Sequence, residues 1–147
     1  MTRLFVSVTR LRLRSARFLP GFFWHVLTST RQLRRAHGFV CGELGREGAM
    51  GWWTVTAWTD AAAMLDYRNT AAHGAAMPKL TRWCDEASIA HWEQEGGALP
   101  TWPEALDRMV AEGRLSKVRH PTPEHAAGRI APARQVPSPG LPLSPLG

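Results

Sequence analysis

The stretch WWTVTAWT (52–59) limits the fold more than any other in the chain. Read as a strand, it splits into two bulky sets. Trp52 and Trp58 share one face with Thr54 and Thr56, and Trp53 faces the other way with Val55 and Ala57. Indole rings dominate core and interface energetics, so such a strand belongs in a sheet covered on both faces. The chain has seven tryptophans in 147 residues and 44% hydrophobic content. That suits one domain with an indole-rich pocket or subunit contact, plus a tail.

The flanking segments supply the rest of a sheet. LFVSVTRLRLR (4–14) reads as a strand in which Val6 and Val8, then Leu11 and Leu13, alternate with polar neighbours. The phase slips once near Thr9, and a bulge would account for it. A helix over 20–37 is predicted from Pro20 in its first turn, Phe22, Val26, Leu33 and Ala36 at helical spacing, and Gly38 at the C′ position. FVCGEL (39–44) is a short strand, joined through glycine-rich GREGAMG to 52–59 as a hairpin. Asp60 caps a helical region that runs to about Trp83. Asn69 and Thr70 favour a break in it, and Pro78, whose ring would meet the carbonyl of Gly74, favours a kink. EASIAHWEQ (86–94) is the fourth strand. TWPE (101–104) forms a capping box before a helix that ends at Gly113 and carries Trp102, Leu106, Met109 and Val110 on one face. RLSKV (114–118) adds a short edge strand.

From Pro121 onward there are seven prolines in 27 residues and no aromatic side chain. Such a segment buries too little apolar surface to offset its ordering entropy, so a disordered tail is expected. The domain assignment is therefore 1–120 for the folded unit and 121–147 for the tail.

The order β-α-β-β-α-β is the ferredoxin-like split βαβ unit of the α+β class. It is followed here by an extra C-terminal helix. Its antiparallel sheet carries both helices on one face. Pairing two such sheets would bury the other in a closed dimeric barrel, so a homodimer is expected. One tryptophan set of 52–59 should then meet the helices and the other the barrel interior; strand phase alone does not say which.

Charge and cysteines narrow the setting. Residues 1–42 hold eight arginines and no acid, and the whole chain carries +6. Arg31, Arg34 and Arg35 crowd a helix C-terminus, where cations favour the helix dipole. No nucleic-acid-binding signature accompanies the charge, so nucleic acid is not expected as a partner. Contact of the arginines with an anionic membrane surface is the weaker alternative. FLPGFFWHVL (18–27) is too short to span a bilayer and lacks a cleavage site. Cys41 and Cys84 have no CxxC spacing and fit a reduced, cytoplasmic setting. No metal-ligand spacing of the HxxxH or CxxC type occurs, so no metal site is expected. GxSxG, P-loop and GxGxxG motifs are absent as well.

The segment WWTVTAWTDAAAMLDYRNTAAHGAAMPKLTRWCDEASIAHW (52–92) resembles the dimeric α+β barrel superfamily, and within it the DUF3291 and spheroidene-monooxygenase-like group. The carrying features are the tryptophan-ended strand TVTAW, the acid-capped helix TDAAAMLDY, the step TAAH and the run WCDEASIAHW. LPGFFWHVLTSTRQLRRAHGFV also looks like that group's first helix and second strand, so the match covers roughly 20–95. Such barrels include antibiotic-biosynthesis-type monooxygenases that need no cofactor, heme-degrading monooxygenases and other heme enzymes. In the heme-degrading branch the resemblance implies a histidine late in the second helix as iron ligand and an aromatic residue before it. By position these are His73 and Tyr67, although that branch has tryptophan where this chain has Tyr67 and an asparagine on strand one that finds no clear match here.

The candidate site is thus His73, a possible heme ligand, with Tyr67 and with Met77 on the same helical side at i+4. His25, Trp52, Trp58 and His91 are further pocket candidates, and no catalytic residue is assigned. Small neighbours, Ala71, Ala72, Gly74, Ala75 and Ala76, would let a flat macrocycle approach, and equally suit tight helix-on-sheet packing. The leading expectation is a monooxygenase-like protein acting on an apolar or planar molecule, with or without heme. The alternative is a non-enzymatic dimer that binds a small hydrophobic ligand.

Overall fold

Both faces of the first strand are buried, and this decides the architecture. The structure, a computed structural model, describes residues 2–130 and 136–146. Strand β1 (Arg3–Leu13) lies between β3 (Gly51–Trp58) and β4 (Cys84–Glu95), antiparallel to both. β2 (Phe39–Glu47) flanks β3, and the sheet order is β5-β4-β1-β3-β2-β6, with β5 (Arg114–Leu115) and β6 (Ser138–Leu143) at the edges. Pairing of β1 with β3 is continuous from Phe5 opposite Trp58 to Arg12 opposite Gly51, so there is no bulge at Thr9; against β4 the register shifts only between Arg12 and Leu13.

The slip in the hydrophobic pattern has a different cause. Val6 and Val8 are fully buried on one face, and the next residue of that face is Arg10, 5% exposed. Its guanidinium is held by both oxygens of Glu47 at 3.1 and 2.9 Å and by Glu86 at 2.9 Å. On the opposite face Ser7 and Thr9 precede Leu11 as the floor of a cavity. Polar residues therefore occupy inward positions on both faces.

Helix α1 (Leu19–Arg35) and the pair α2 (Ala61–Asn69) and α3 (Ala71–Trp83) cover the Trp52–Trp58 face. Asp60 Oδ1 accepts from Ala63 N at 2.8 Å, as the acid cap requires. The helical region breaks at Thr70, which is extended, and restarts at Ala71 in the left-handed region at φ 49°. α3 then runs through Pro78 to Trp83.

The Trp53 face is closed by α4 (Trp102–Glu112), whose Trp102, Ala105 and Met109 pack on Val6, Val8, Trp53, Val55, Ala90 and Trp92. Thr101 caps this helix through Glu104 N. Gly45 makes the approach possible, because a Cβ there would lie 2.7 Å from the Trp102 ring. Val110, expected on the inner face, is 55% exposed, and Ala105 takes its place. Because α4 buries this face within one chain, the sheet itself does not require a second copy.

The expected disordered tail is corrected over its described part. After the short helix α5 (Pro123–Ala126), residues 138–143 form β6 along the free edge of β2. Leu143 is 4% exposed among Leu33, Phe39, Trp58 and Met64. Arg34 Nε donates to Ser144 O at 2.9 Å, and Leu146 N to Arg34 O at 2.9 Å. An unpaired strand edge supplies backbone partners that no local reading of a proline-rich sequence reveals. Residues 131–135 and 147 of the expected tail lie outside the described residues. Among the described residues no helix is long and apolar enough to cross a membrane. Cys41 is half-buried, Cys84 is buried, and both are free thiols.

Candidate functional site

Between the sheet and α1, α2 and α3 lies a cavity of about 220 Å³. Its floor is the strand face that carries Trp52, Thr54, Thr56 and Trp58, together with Ser7 and Thr9 from β1. The question that phase left open is thereby answered: the Trp52–Trp58 set meets the helices and the Trp53 set meets α4. Trp58 Nε1 donates to Thr56 Oγ1 at 2.8 Å, which fixes the indole without using the ring face.

His73, Tyr67 and Met77 come together on the cavity wall, joined by His25, Trp52 and Trp58. His91 does not join them: it stands opposite Ser7 on β4 and packs its ring on Phe5 at 5.4 Å, outside the lining. The His73 ring lies 4.7 Å from Tyr67, whose other neighbour is Trp58 at 5.4 Å. Nδ1 of His73 is 3.1 Å from the Arg68 carbonyl. A carbonyl only accepts, so Nδ1 carries the proton and the lone pair is on Nε2. Burial first, and then the Arg68 charge, holds the imidazole below its ordinary pKa, so it is neutral at pH 7.

The Tyr67 hydroxyl reaches across to the first helix. It donates to Ser29 O at 3.2 Å and ties α2 to α1, and burial raises its pKa. Gln32, which sequence reasoning did not single out, clamps the helix break. Its Nε2 donates to the carbonyls of Tyr67 at 3.0 Å and Thr70 at 2.8 Å, while its Oε1 accepts from His73 N at 2.8 Å. A polar residue immediately before Leu33 gave no signal, because its partners are backbone groups at the break. Ser7 and Thr9 were also missed, although the phase slip around them was their mark.

The small residues of α3 also serve the break. A Cβ at Gly74 would fall 2.7 Å from Asn69 O, so glycine there permits the turn between helices, while Ala71 and Ala75 face outward and Ala76 is buried. Two cavity-lining residues have a buried polar atom without a hydrogen-bond partner among the described residues, His25 Nδ1 and Trp52 Nε1. His25 Nε2 is 3.3 Å from Lys79 Nζ, which only donates, so the proton of His25 sits on Nδ1. Both orphans are donors. Burial, then Lys79, lowers the His25 pKa. Among the described residues no group of three His, Cys, Asp or Glu side chains is placed to hold a metal ion.

Comparison with known proteins agrees with this fold. The family model described as a domain of unknown function, DUF3291, matches residues 3–125. No curated protein matches significantly. Among solved structures, a conserved protein from Methanosarcina mazei Go1 superposes with a TM-score of 0.58 at 11% identity, over 64% of this chain and 95% of that one. A protein of Nitrosomonas europaea, proposed to be an antibiotic biosynthesis monooxygenase, gives 0.53 at 12% identity over 63% and 89%. A mutant of SnoaB, a cofactor-independent oxygenase from Streptomyces nogalater, gives 0.50 at 17% identity over 67% and 96%. At these identities the likeness is one of fold. The chain belongs to the DUF3291 family and has the ferredoxin-like α+β fold of the antibiotic-biosynthesis-monooxygenase proteins.

Proposed function

We propose that the cavity binds a planar, mainly apolar small molecule and supports its oxidation by dioxygen without a bound cofactor. The observation that carries this reading is His73, a neutral imidazole with its lone pair on Nε2, on the wall of a tryptophan-floored cavity. In such a site a substrate CH₂ beside a carbonyl would give its proton to Nε2. The orphan donors Trp52 Nε1 and His25 Nδ1 suit the enolate oxygen that forms. The carbanion's electron pair reduces dioxygen as the C–O bond forms. The peroxide anion so formed takes the proton back from His73, and the hydroperoxide then loses water, so CH₂ and O₂ become C=O and H₂O. Aromatic walls keep bulk water from the carbanion.

Heme fits the cavity poorly. His73 Nε2 has the tautomer an iron ligand needs, with Nδ1–H fixed by a carbonyl. Yet pockets for drug-sized ligands span roughly 300–1,000 Å³, and a porphyrin is as large as most such ligands, against about 220 Å³ here. Tyr67 also occupies one side of the His73 ring. A Soret band in the purified protein would overturn the cofactor-free reading.

The direct test is oxygen uptake with 2-tetralone as probe, in wild-type protein and in His73→Ala. Uptake by the wild type, at least about tenfold lower in the variant, is the expected result for loss of a general base. Probe binding without uptake would instead make the protein a non-enzymatic carrier of such molecules. Pairing of two copies is retained as a separate proposal, and a monomeric mass by light scattering at micromolar concentration would remove it.

A further inference from the structure

The cavity lining contains no carboxylate. Its charged members are Arg68 on α2 and Lys117 just beyond β5, and Lys79 touches the lining through His25. None of these three takes part in the ion pairs formed among the described residues. Among the described residues, then, the apolar cavity is flanked by cations that form no ion pair. The neighbouring histidines stand in the same positive field. After burial, the next influence lowering His25 is Lys79, the charge lowering His73 is Arg68, and those lowering His91 are Arg114 and Arg68. His91 is on β4 and Arg114 on β5, so the cations extend along the β4–β5 side of the sheet.

Ordinary surface lysines and arginines are solvated and recognise nothing. Here, however, Arg68 is half-buried and lines the cavity itself, where its fork can meet a carboxylate with two bonds. A simple phenol has a pKa near about 10 and is neutral at pH 7, whereas a carboxylate is ionised. Of these two groups, the one such a field selects is the carboxylate.

We infer that the ligand is a planar aromatic carboxylate, its rings on the Trp52–Trp58 floor and its charge toward Arg68 and Lys117. This rests on the reading of the cavity as a site for planar molecules. Exposed Lys117 and Lys79 would act mainly on capture, in a salt-sensitive way.

The test uses the full chain and two probes alike in shape, 2-naphthoate and 2-naphthamide, with affinity read by tryptophan fluorescence and calorimetry. Naphthoate should bind at least about tenfold tighter at low salt, and the advantage should shrink at high salt. Arg68→Gln, alone and with Lys117→Gln, should remove most of that preference by lowering naphthoate affinity toward that of naphthamide. Equal binding of the two probes would overturn the carboxylate inference while the planar-ligand reading stands. Binding of neither would overturn both. A preference that persists in the double variant would overturn the assignment to these cations.

Discussion

His73 Nδ1–H is committed to the Arg68 carbonyl, and this one bond serves both a ligand-binding imidazole and a merely packed one. The roles separate on mutation. His73→Ala should cost roughly 1–3 kcal/mol, because a half-buried carbonyl loses its donor, and with Nε2 as the base it should in addition lower oxygen uptake at least about tenfold. Its lowered pKa also sets a pH dependence. The unfolded chain takes up the proton near the ordinary value of 6.5 while the folded chain resists it, so stability is complete above that pH and falls as pH drops below it. His25 and His91 shift in the same direction. Melting temperature should therefore decline as the pH is lowered from 6.5, and less steeply in His73→Ala. Arg10 is a second residue whose surroundings dictate the outcome. Truncating it takes away the buried cation that Glu47 and Glu86 share, so Arg10→Ala should lose roughly 3–5 kcal/mol in urea titration.

Among elements, β6 shows most clearly what distant contacts decide. Leu143 fills space between α1, β3 and α2, so Leu143→Ala should destabilise the fold by roughly 2–4 kcal/mol, measured by thermal or urea unfolding. A disordered tail would give no change. Proline content at 137–145 describes the local chain accurately and still misleads, because the partner is the edge of β2, about ninety residues earlier. The same contrast runs through the rest of the chain. Asp60, Thr101 and the pair Asn69–Thr70 announce themselves in sequence, since caps and breaks are made by neighbouring residues. So do the order of the main elements and the grouping of His73, Tyr67 and Met77, which follow from short-range spacing and the family resemblance. Arg10, Gln32, Ser7 and Thr9 were not legible as structural or cavity residues. Each is a polar side chain whose meaning depends on what the opposite face or a separate helix supplies.

For the molecule as a whole, the sheet is covered on both faces and differs at its two edges. The β5 edge is two residues long, and β6 at the other edge carries Pro139 and Pro142, which have no N–H to give. A strand with missing donors can dock on β2 but offers a poor template to anything beyond it. The tail thus ends lateral growth of the sheet as well as packing Leu143. Removing residues 136–147 would bare the β2 edge and a patch of core together. The shortened chain should bind thioflavin T and form fibrous aggregates on mild heating, under conditions where the intact protein stays clear. Soluble, dye-negative behaviour of the truncated form would argue that β2 is protected by other means. On this account the proline-bearing end of the chain acts as a guard against polymerisation, a duty separate from whatever the cavity binds.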